Sequence, residues 1–475
     1  MHPNIRLLLL FAFALALHLS GTWILPLQDR DEPRFSEASR EMLQRGDWIL
    51  PTFNNLPRYD KPALTYWFQM AFYKVFGEND LAARLHSALF TALTALAVFG
   101  FARSLYNERA AWFAALAYTV TLQVMMLAKA AVADMPMVFF FTVAAWAGWE
   151  LLTRPVESSR QPRARWWWIF YGALALGFLA KGPEIWFPIA GILIYAWRER
   201  VPELNRRFKF QYGIPLMLLL IGIWGVPAMV LSHGDFFRVG IGKHVVQRSL
   251  EPMEGHGGGF LKWFFPFYFL TFFFSFLPWS VFTWPVVARL KSGLPAAARY
   301  LLIQAGIVFL AFTLISTKLL HYTLPAFPLL ACLAAPTLAA LGTAIFRRIV
   351  IGMTALNLAI SFIAFPILAN HILIPVKNMA ASLQLAPETE FASVDGSYDE
   401  PSEIWYFRRQ LKTWHELLAP KDVPGFMNKP GPRLCVVPQD LAATLPIPAT
   451  WEQHPLHGKN LANGKILSLV LLLKR

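Results

Sequence analysis

Long apolar runs alternate with short polar breaks along most of this chain, and the runs are near or above the roughly 17 to 25 residues that cross a hydrocarbon core. They fall near 5–27, 81–102, 110–128, 134–152, 166–181, 184–197, 211–231, 260–286, 300–316, 322–346 and 348–372, about eleven candidate spans. The two within 166–197 are short, and Ala63–Phe76 is shorter still, which suits an interfacial or re-entrant segment. From about 374 the pattern changes: Pro, Asp, Glu, Gly and Lys recur, and about 100 residues carry no span. There 402–418 has helical periodicity, with Ile404, Phe407, Leu411 and Trp414 on one face, while 433–437 and 466–473 read as strands. The expected fold is mainly α: a polytopic transmembrane helical bundle of about 11–13 spans over 1–373, with juxtamembrane helices and a small C-terminal α/β domain over 374–475.

Composition agrees. Of 475 residues 56% are hydrophobic and 15% charged, against about 25% charged in ordinary soluble proteins. The net charge of +14 is largely topological. Arg103 and Arg109, then Arg154 to Arg165, Arg198 to Lys209, Arg289 to Arg299, and Arg347 with Arg348 fall in alternate loops. Such loops face the cytoplasm, so nucleic acid is not implied. The same count puts the loop 28–62, the segment 232–259 and the C-terminus outside, and the first span reads as an uncleaved anchor. Cys332 lies in an apolar span and Cys435 in the polar tail, so no disulfide framework is expected.

The chemistry-bearing residues collect in the first external loop. Asp29-Arg30-Asp31-Glu32-Pro33-Arg34 opens it and Tyr59-Asp60-Lys61-Pro62 closes it. Pro33 suits the first position of a helix with Asp31 or Glu32 as the capping acid and Arg34–Arg45 continuing. Phe35, Ala38 and Met42 share one face, and Arg34, Glu37, Glu41 and Arg45 another, which predicts a helix lying on the membrane surface. At its positive end an acid is stabilised as carboxylate, so Asp31 serves as a cap, a group in the chemistry, or both. Lys61 either binds a phosphate as a point charge or anchors a helix end. Asp134 begins an apolar run, where an acid needs a partner. Lys129 and Lys318 are the two candidates, and an ion pair without a role in chemistry is equally open.

These residues resemble a known family. Asp31-Glu32-x-Arg34, Ser36-Glu37-Ala38-Ser39-Arg40-Glu41-Met42-Leu43, Gly46-Asp47-Trp48 and Tyr59-Asp60-Lys61-Pro62 with Tyr66-Trp67 look like the first periplasmic loop of bacterial aminoarabinose (lipid A) transferase. That group belongs to the integral-membrane GT-C type glycosyltransferases, which also include the protein O-mannosyltransferases. Ala133-Asp134, Lys181-Gly182-Pro183, Ser316-Thr317-Lys318, His321-Tyr322-x-Leu324-Pro325 and, weakly, 458–465 are also similar to the family pattern.

The resemblance implies a bacterial inner-membrane enzyme that moves a pentose or hexose from polyprenyl (undecaprenyl) phosphate to an envelope acceptor at the periplasmic face. Lipid A, another glycolipid, a glycan and a protein are all open as acceptors. It implies Asp31, with Glu32, at the reaction centre and Asp134 as the second acid. It implies Lys61 on the donor phosphate, with Arg34 nearby and Tyr322 facing the same cavity. Lys318 and Arg248 join the expected phosphate set. In the family a Glu associated with metal precedes the lysine. Here Asp60 is one methylene shorter, and with His244 or His256 as partner it makes a poor zinc site. A divalent metal is left open, and no cofactor is otherwise implied.

As the phosphate leaves the anomeric carbon, negative charge grows on its oxygens, and fixed cations lower the barrier. An attacking hydroxyl needs a base, for which Asp31 is placed, whereas an acceptor phosphate needs none. A single displacement inverts the anomeric centre. The rival readings are a lipid-linked sugar transporter or flippase, which tends to show internal repeats and charges near the midplane, and an envelope scaffold. This chain has no visible repeat, and its charges gather at one external face.

Overall fold

The computed structural model describes residues 3–155, 165–240, 242, 266–291 and 293–475. Among them six helices are long and apolar enough to cross a membrane: Asp80–Leu105, Asp134–Thr153, Leu204–Leu231, Ala296–Leu314, Leu320–Ala340 and Thr343–Ile372. Other expected spans coincide with shorter helices, namely Pro3–Leu19, Glu108–Thr119, Arg165–Lys181 and Phe187–Arg198. The run expected as one span over 260–286 is instead two helices, Phe267–Ser275 and Trp279–Lys291, bent by 112°. The break falls at Pro278, which has no amide hydrogen to continue a helix. The carbonyl of Leu277 accepts from the Leu122 amide at 2.8 Å.

By its contacts the chain forms two compact units. The first comprises Met1–Leu19, Tyr59–Phe68 and Arg84–Asn357; the second comprises Ser20–Arg58, Gln69–Ala83 and Leu358–Arg475. The boundary expected at 374 falls inside the second unit, which also takes in most of the first external loop.

In the first unit Asp134–Thr153 packs along Arg165–Lys181, Glu108–Thr119 on Phe327–Ala340, and Ala296–Leu314 on Phe187–Arg198. Polar side chains inside this bundle bond to backbone, because no water is at hand to satisfy them. Tyr300 donates to the Ala145 carbonyl at 2.7 Å, Trp279 to Ala117 at 2.7 Å, and Lys129 to Leu17 at 3.0 Å. Leu219 and Ile223 stand 64% exposed on an otherwise apolar helix. Such a face is stable only against lipid, so this is a multi-pass membrane protein.

The second unit carries a five-stranded mixed sheet in the order His415–Leu418, Glu390–Val394, Arg433–Pro438, Ile466–Lys474, Glu452–Lys459. The first three strands are mutually parallel, and the last three pair antiparallel. Ala392, Val394, Cys435, Val437, Val470 and Leu472 form one buried face, on which Val423, Phe426 and Met427 pack. Both strands expected near 433 and 466 are present. The helix expected over 402–418 stops at Phe407, and His415–Leu418 is a strand.

The loop helix spans Asp31–Arg45, starting earlier than expected. Its N-cap is Arg30, without a side-chain cap bond. Asp31 and Glu32 therefore sit in the first turn rather than at the cap. Nor is it a surface helix: Glu37, Arg40 and Glu41 are at most 1% exposed. The reason is a second layer, since helix Pro401–Phe407 packs on it and brings the counter-charge Arg408.

Candidate active site

In the first unit several expected site residues meet at one end of the membrane helices. Asp134 is the first residue of its helix and is 5% exposed. Its partner is neither of the expected lysines. Lys181, at the last position of the adjoining helix, places its Nζ 3.0 Å from Asp134 Oδ1. The same ammonium lies 3.0 Å from Glu184 Oε1 and 5.6 Å from the centroid of the Tyr322 ring. His321 Nε2 is 3.9 Å from Asp134 Oδ1. The Lys61 charge also acts on this carboxylate. Two lysines, two acids, an imidazole and a tyrosine thus share one locality.

Local sequence explains the placement. The Arg165–Lys181 helix must stop where Pro183 follows, and Gly182 makes the turn at φ +117°, a conformation L side chains rarely adopt. The chain then continues as the short 3-10 helix Pro183–Trp186, which presents Glu184. Tyr322 lies in a second such turn, Leu320–Ala326, and packs on Phe312 at 4.9 Å between centroids. Lys61 sits in the non-helical turn before the Leu64–Phe76 helix, where Pro62 blocks helical backbone. Its Nζ is 2.9 Å from Asp60 Oδ1.

Other expected residues fall elsewhere. Lys318 turns its ammonium onto the carbonyls of Phe312, Thr313 and Ile315 at 3.0, 2.6 and 2.5 Å, at the C-terminal end of the Ala296–Leu314 helix. Three donors are thereby used, so it is set apart from the phosphate group. Lys129 bonds to Leu17 and is not the Asp134 partner. Asp31, exposed, with buried Glu32 and half-buried Arg34, belongs to the second unit. Arg248, His244 and His256 lie outside the described residues. Asp60, expected as a metal ligand, is instead paired with Lys61. Among the described residues no group of three or more His, Cys, Asp or Glu is arranged to hold a metal ion.

Lys181, Glu184 and His321 had no role in the sequence reading, although Lys181-Gly182-Pro183 and His321-Tyr322 were among its motifs. The available signal was a lysine closing an apolar helix immediately before Gly-Pro.

The second unit holds a different charged network. Glu37 accepts from both Arg40 and Arg408, and Arg408 also reaches Glu41 at 3.1 Å. Glu41 accepts the amides of Asn54 and Asn55 at 2.7 and 3.2 Å, closing a hairpin turn in which both asparagines have positive φ. Burial first, and then the Glu37 charge, push the Glu41 carboxyl upward. Asp80 accepts from Trp405, Tyr406, Arg409 and Lys377 at 2.7 to 3.1 Å. Asp29 bonds to Ser402 and Tyr398, and burial raises its carboxyl from 3.8 to about 6. Burial also carries the Glu403 carboxyl well above its ordinary range and lowers His415 to about 4.

The fold has counterparts among solved structures. Over 99% of its length the chain superposes on 98% of the crystal structure of ArnT from Cupriavidus metallidurans bound to undecaprenyl phosphate, at TM-score 0.77 and 19% identity. It superposes less closely on the archaeal oligosaccharyltransferase AglB from Archaeoglobus fulgidus, with TM-score 0.54, 12% identity, 86% of this chain and 64% of that one. The fold is that of these two solved structures.

Sequence narrows the likeness. Residues 60–224 match the family model described as dolichyl-phosphate-mannose-protein mannosyltransferase. The undecaprenyl phosphate-alpha-4-amino-4-deoxy-L-arabinose arabinosyl transferase of Pectobacterium carotovorum is 31% identical over 364 residues, 74% of this chain and 62% of that one. The enzyme of the same name from Aeromonas hydrophila is 31% identical, covering 68% and 59%. The chain is thus similar to aminoarabinose transferases and spans about three fifths of the length of those relatives.

Proposed function

We propose that this protein transfers a sugar from a polyprenyl phosphate to an envelope acceptor at the external, periplasmic face of the bacterial inner membrane. The observation that carries the reading is the Lys181–Asp134 pair, with His321 and Lys61 beside it, at the helix end opposite the Arg-rich loops. An undecaprenyl-phosphate pentose, the donor type named for the similar arabinosyl transferases, is the first to test. Lipid A is the first acceptor, ahead of other glycolipids, glycans or proteins.

The chemistry asks for cations where the phosphate leaves and an acid where positive charge grows on the sugar. Lys61 holds the departing phosphate as a compact point charge, and Tyr322 lines the same locality. Asp134 faces the sugar as it becomes positive, and Lys181 pairs with that carboxylate and aims it. One displacement without a covalent intermediate inverts the anomeric centre.

Transfer of radiolabelled sugar from undecaprenyl phosphate to lipid A in proteoliposomes tests this. The parent should be active, and Lys61→Ala and Asp134→Asn should each fall by about 10² or more. Full activity in both variants would discard the site, and a retained anomeric configuration would discard the single displacement.

A further inference from the structure

At the other end of the first unit's helices, where the basic loops collect, lies a cavity of about 740 Å³. Its walls are mainly apolar: Trp149, Leu290 and Leu333 come from three different helices. Its polar groups are few. Arg289 is exposed on the last turn of the Thr283–Lys291 helix, and Tyr106 follows the end of the Asp80–Leu105 helix. The third is Thr337. It is 7% exposed, and its buried hydroxyl has no hydrogen-bond partner among the described residues. A buried hydroxyl left without a partner costs free energy unless something else bonds it.

An apolar chamber of this size with a few polar groups is typical of a ligand site. The same helix also turns an apolar surface outward. Trp284 is 72% exposed, and the Lys291 ammonium lies over its ring at 5.4 Å from the centroid. Arg289 and Lys291 thus stand where an aqueous interface meets hydrocarbon, the depth of a lipid phosphate.

We propose that this cavity binds one anionic phospholipid of the leaflet on the basic side. An acyl chain fills the space between Trp149, Leu290 and Leu333, and the phosphate meets Arg289 with Lys291 beside it. The hydroxyl of Thr337 donates to an ester carbonyl of the same molecule. The charge of the rim selects an anionic headgroup over a zwitterionic one. This inference rests on the membrane reading of the fold and not on the transferase reading, so each can fail without the other.

The test is native mass spectrometry of the full chain released from detergent containing phosphatidylglycerol or phosphatidylethanolamine at matched concentrations. The parent should retain one phosphatidylglycerol in preference to phosphatidylethanolamine. Arg289→Gln should weaken that retention about fivefold, and Arg289→Gln with Lys291→Gln about thirtyfold. Thr337→Val should weaken both lipids by a similar factor, since it removes the ester contact and not the charge. An unchanged melting temperature in lipid-free detergent shows that the variants fold. Equal retention of the two lipids, equal retention by parent and Arg289→Gln, or no retained lipid on the parent would overturn the proposal.

Discussion

Two buried charge clusters in this molecule look alike in composition and differ in how their bonding capacity is used. Around Glu37 and Glu41 the acids meet arginines, backbone amides and a threonine hydroxyl, so the carboxylate oxygens are heavily engaged. Around Asp134 the partners are lysine and a more distant histidine, and that lysine also meets Glu184 and the face of the Tyr322 ring. Arginine forks match carboxylates with fixed geometry, whereas a lysine ammonium is a mobile point charge that can exchange one anion for another. Burial of charge therefore does not mark a site by itself. The first cluster holds the fold, and the second is suited to chemistry.

The comparison breaks most visibly if Arg408 is removed. Arg408→Met leaves Glu37 and Glu41 buried beside one fewer cation, and thermal unfolding should show a loss of about 3–5 kcal/mol. A change below about 1 kcal/mol would mean the network is not structural. The matching experiment in the other cluster is Lys181→Met. Sugar transfer per folded molecule should fall by roughly 10²–10³, with kcat affected more than KM, because the aimed carboxylate loses its partner.

Smaller effects sharpen the contrast. Gly182→Ala forces a side chain onto φ +117°, which should cost about 1–3 kcal/mol in stability and shift Lys181 enough to lower transfer. Unaltered melting and activity would show that the turn does not position the lysine. The smallest effect is a pH dependence. Asp29 is raised from 3.8 to about 6 by burial, so the folded form holds a proton that the unfolded chain releases. Its stabilisation is complete below about pH 4 and is lost as pH rises through about 6. Denaturant unfolding between those limits should lose about 1–2 kcal/mol, less than a fully dry site would give because the carboxyl is partly exposed. Asp29→Asn should flatten that slope.

The membrane helices were legible because hydropathy and length report directly on lipid contact; Asp80–Leu105, Asp134–Thr153 and Ala296–Leu314 fall where the runs predict them. The burial of the Asp31–Arg45 helix was not legible. Its charged face reads as solvated, and the residue that neutralises it, Arg408, lies far along the chain. The apolar spacing of Ile404, Phe407, Leu411 and Trp414 suggested one helix, yet Trp414 is 39% exposed and the Arg408 guanidinium sits 3.8 Å over its ring. There the parallel partner strand Glu390–Val394 sets the backbone, and local periodicity cannot reveal it. In the candidate site Asp134 was legible as an acid opening an apolar run, but its partner was not. A lone lysine at a helix end reads as a membrane anchor until the neighbouring helix is in place.

The central claim is that the Asp134 cluster reacts while the Glu37 cluster supports. It is tested most directly by measuring undecaprenyl-phosphate sugar transfer in proteoliposomes, per folded molecule, for Asp134→Asn and Glu37→Gln side by side. The account predicts a loss of about 10²-fold or more with little change in melting for Asp134→Asn, and transfer within about threefold of the parent with clearly lowered melting for Glu37→Gln. Retained transfer in Asp134→Asn, or a collapse of transfer in fully folded Glu37→Gln, would contradict it.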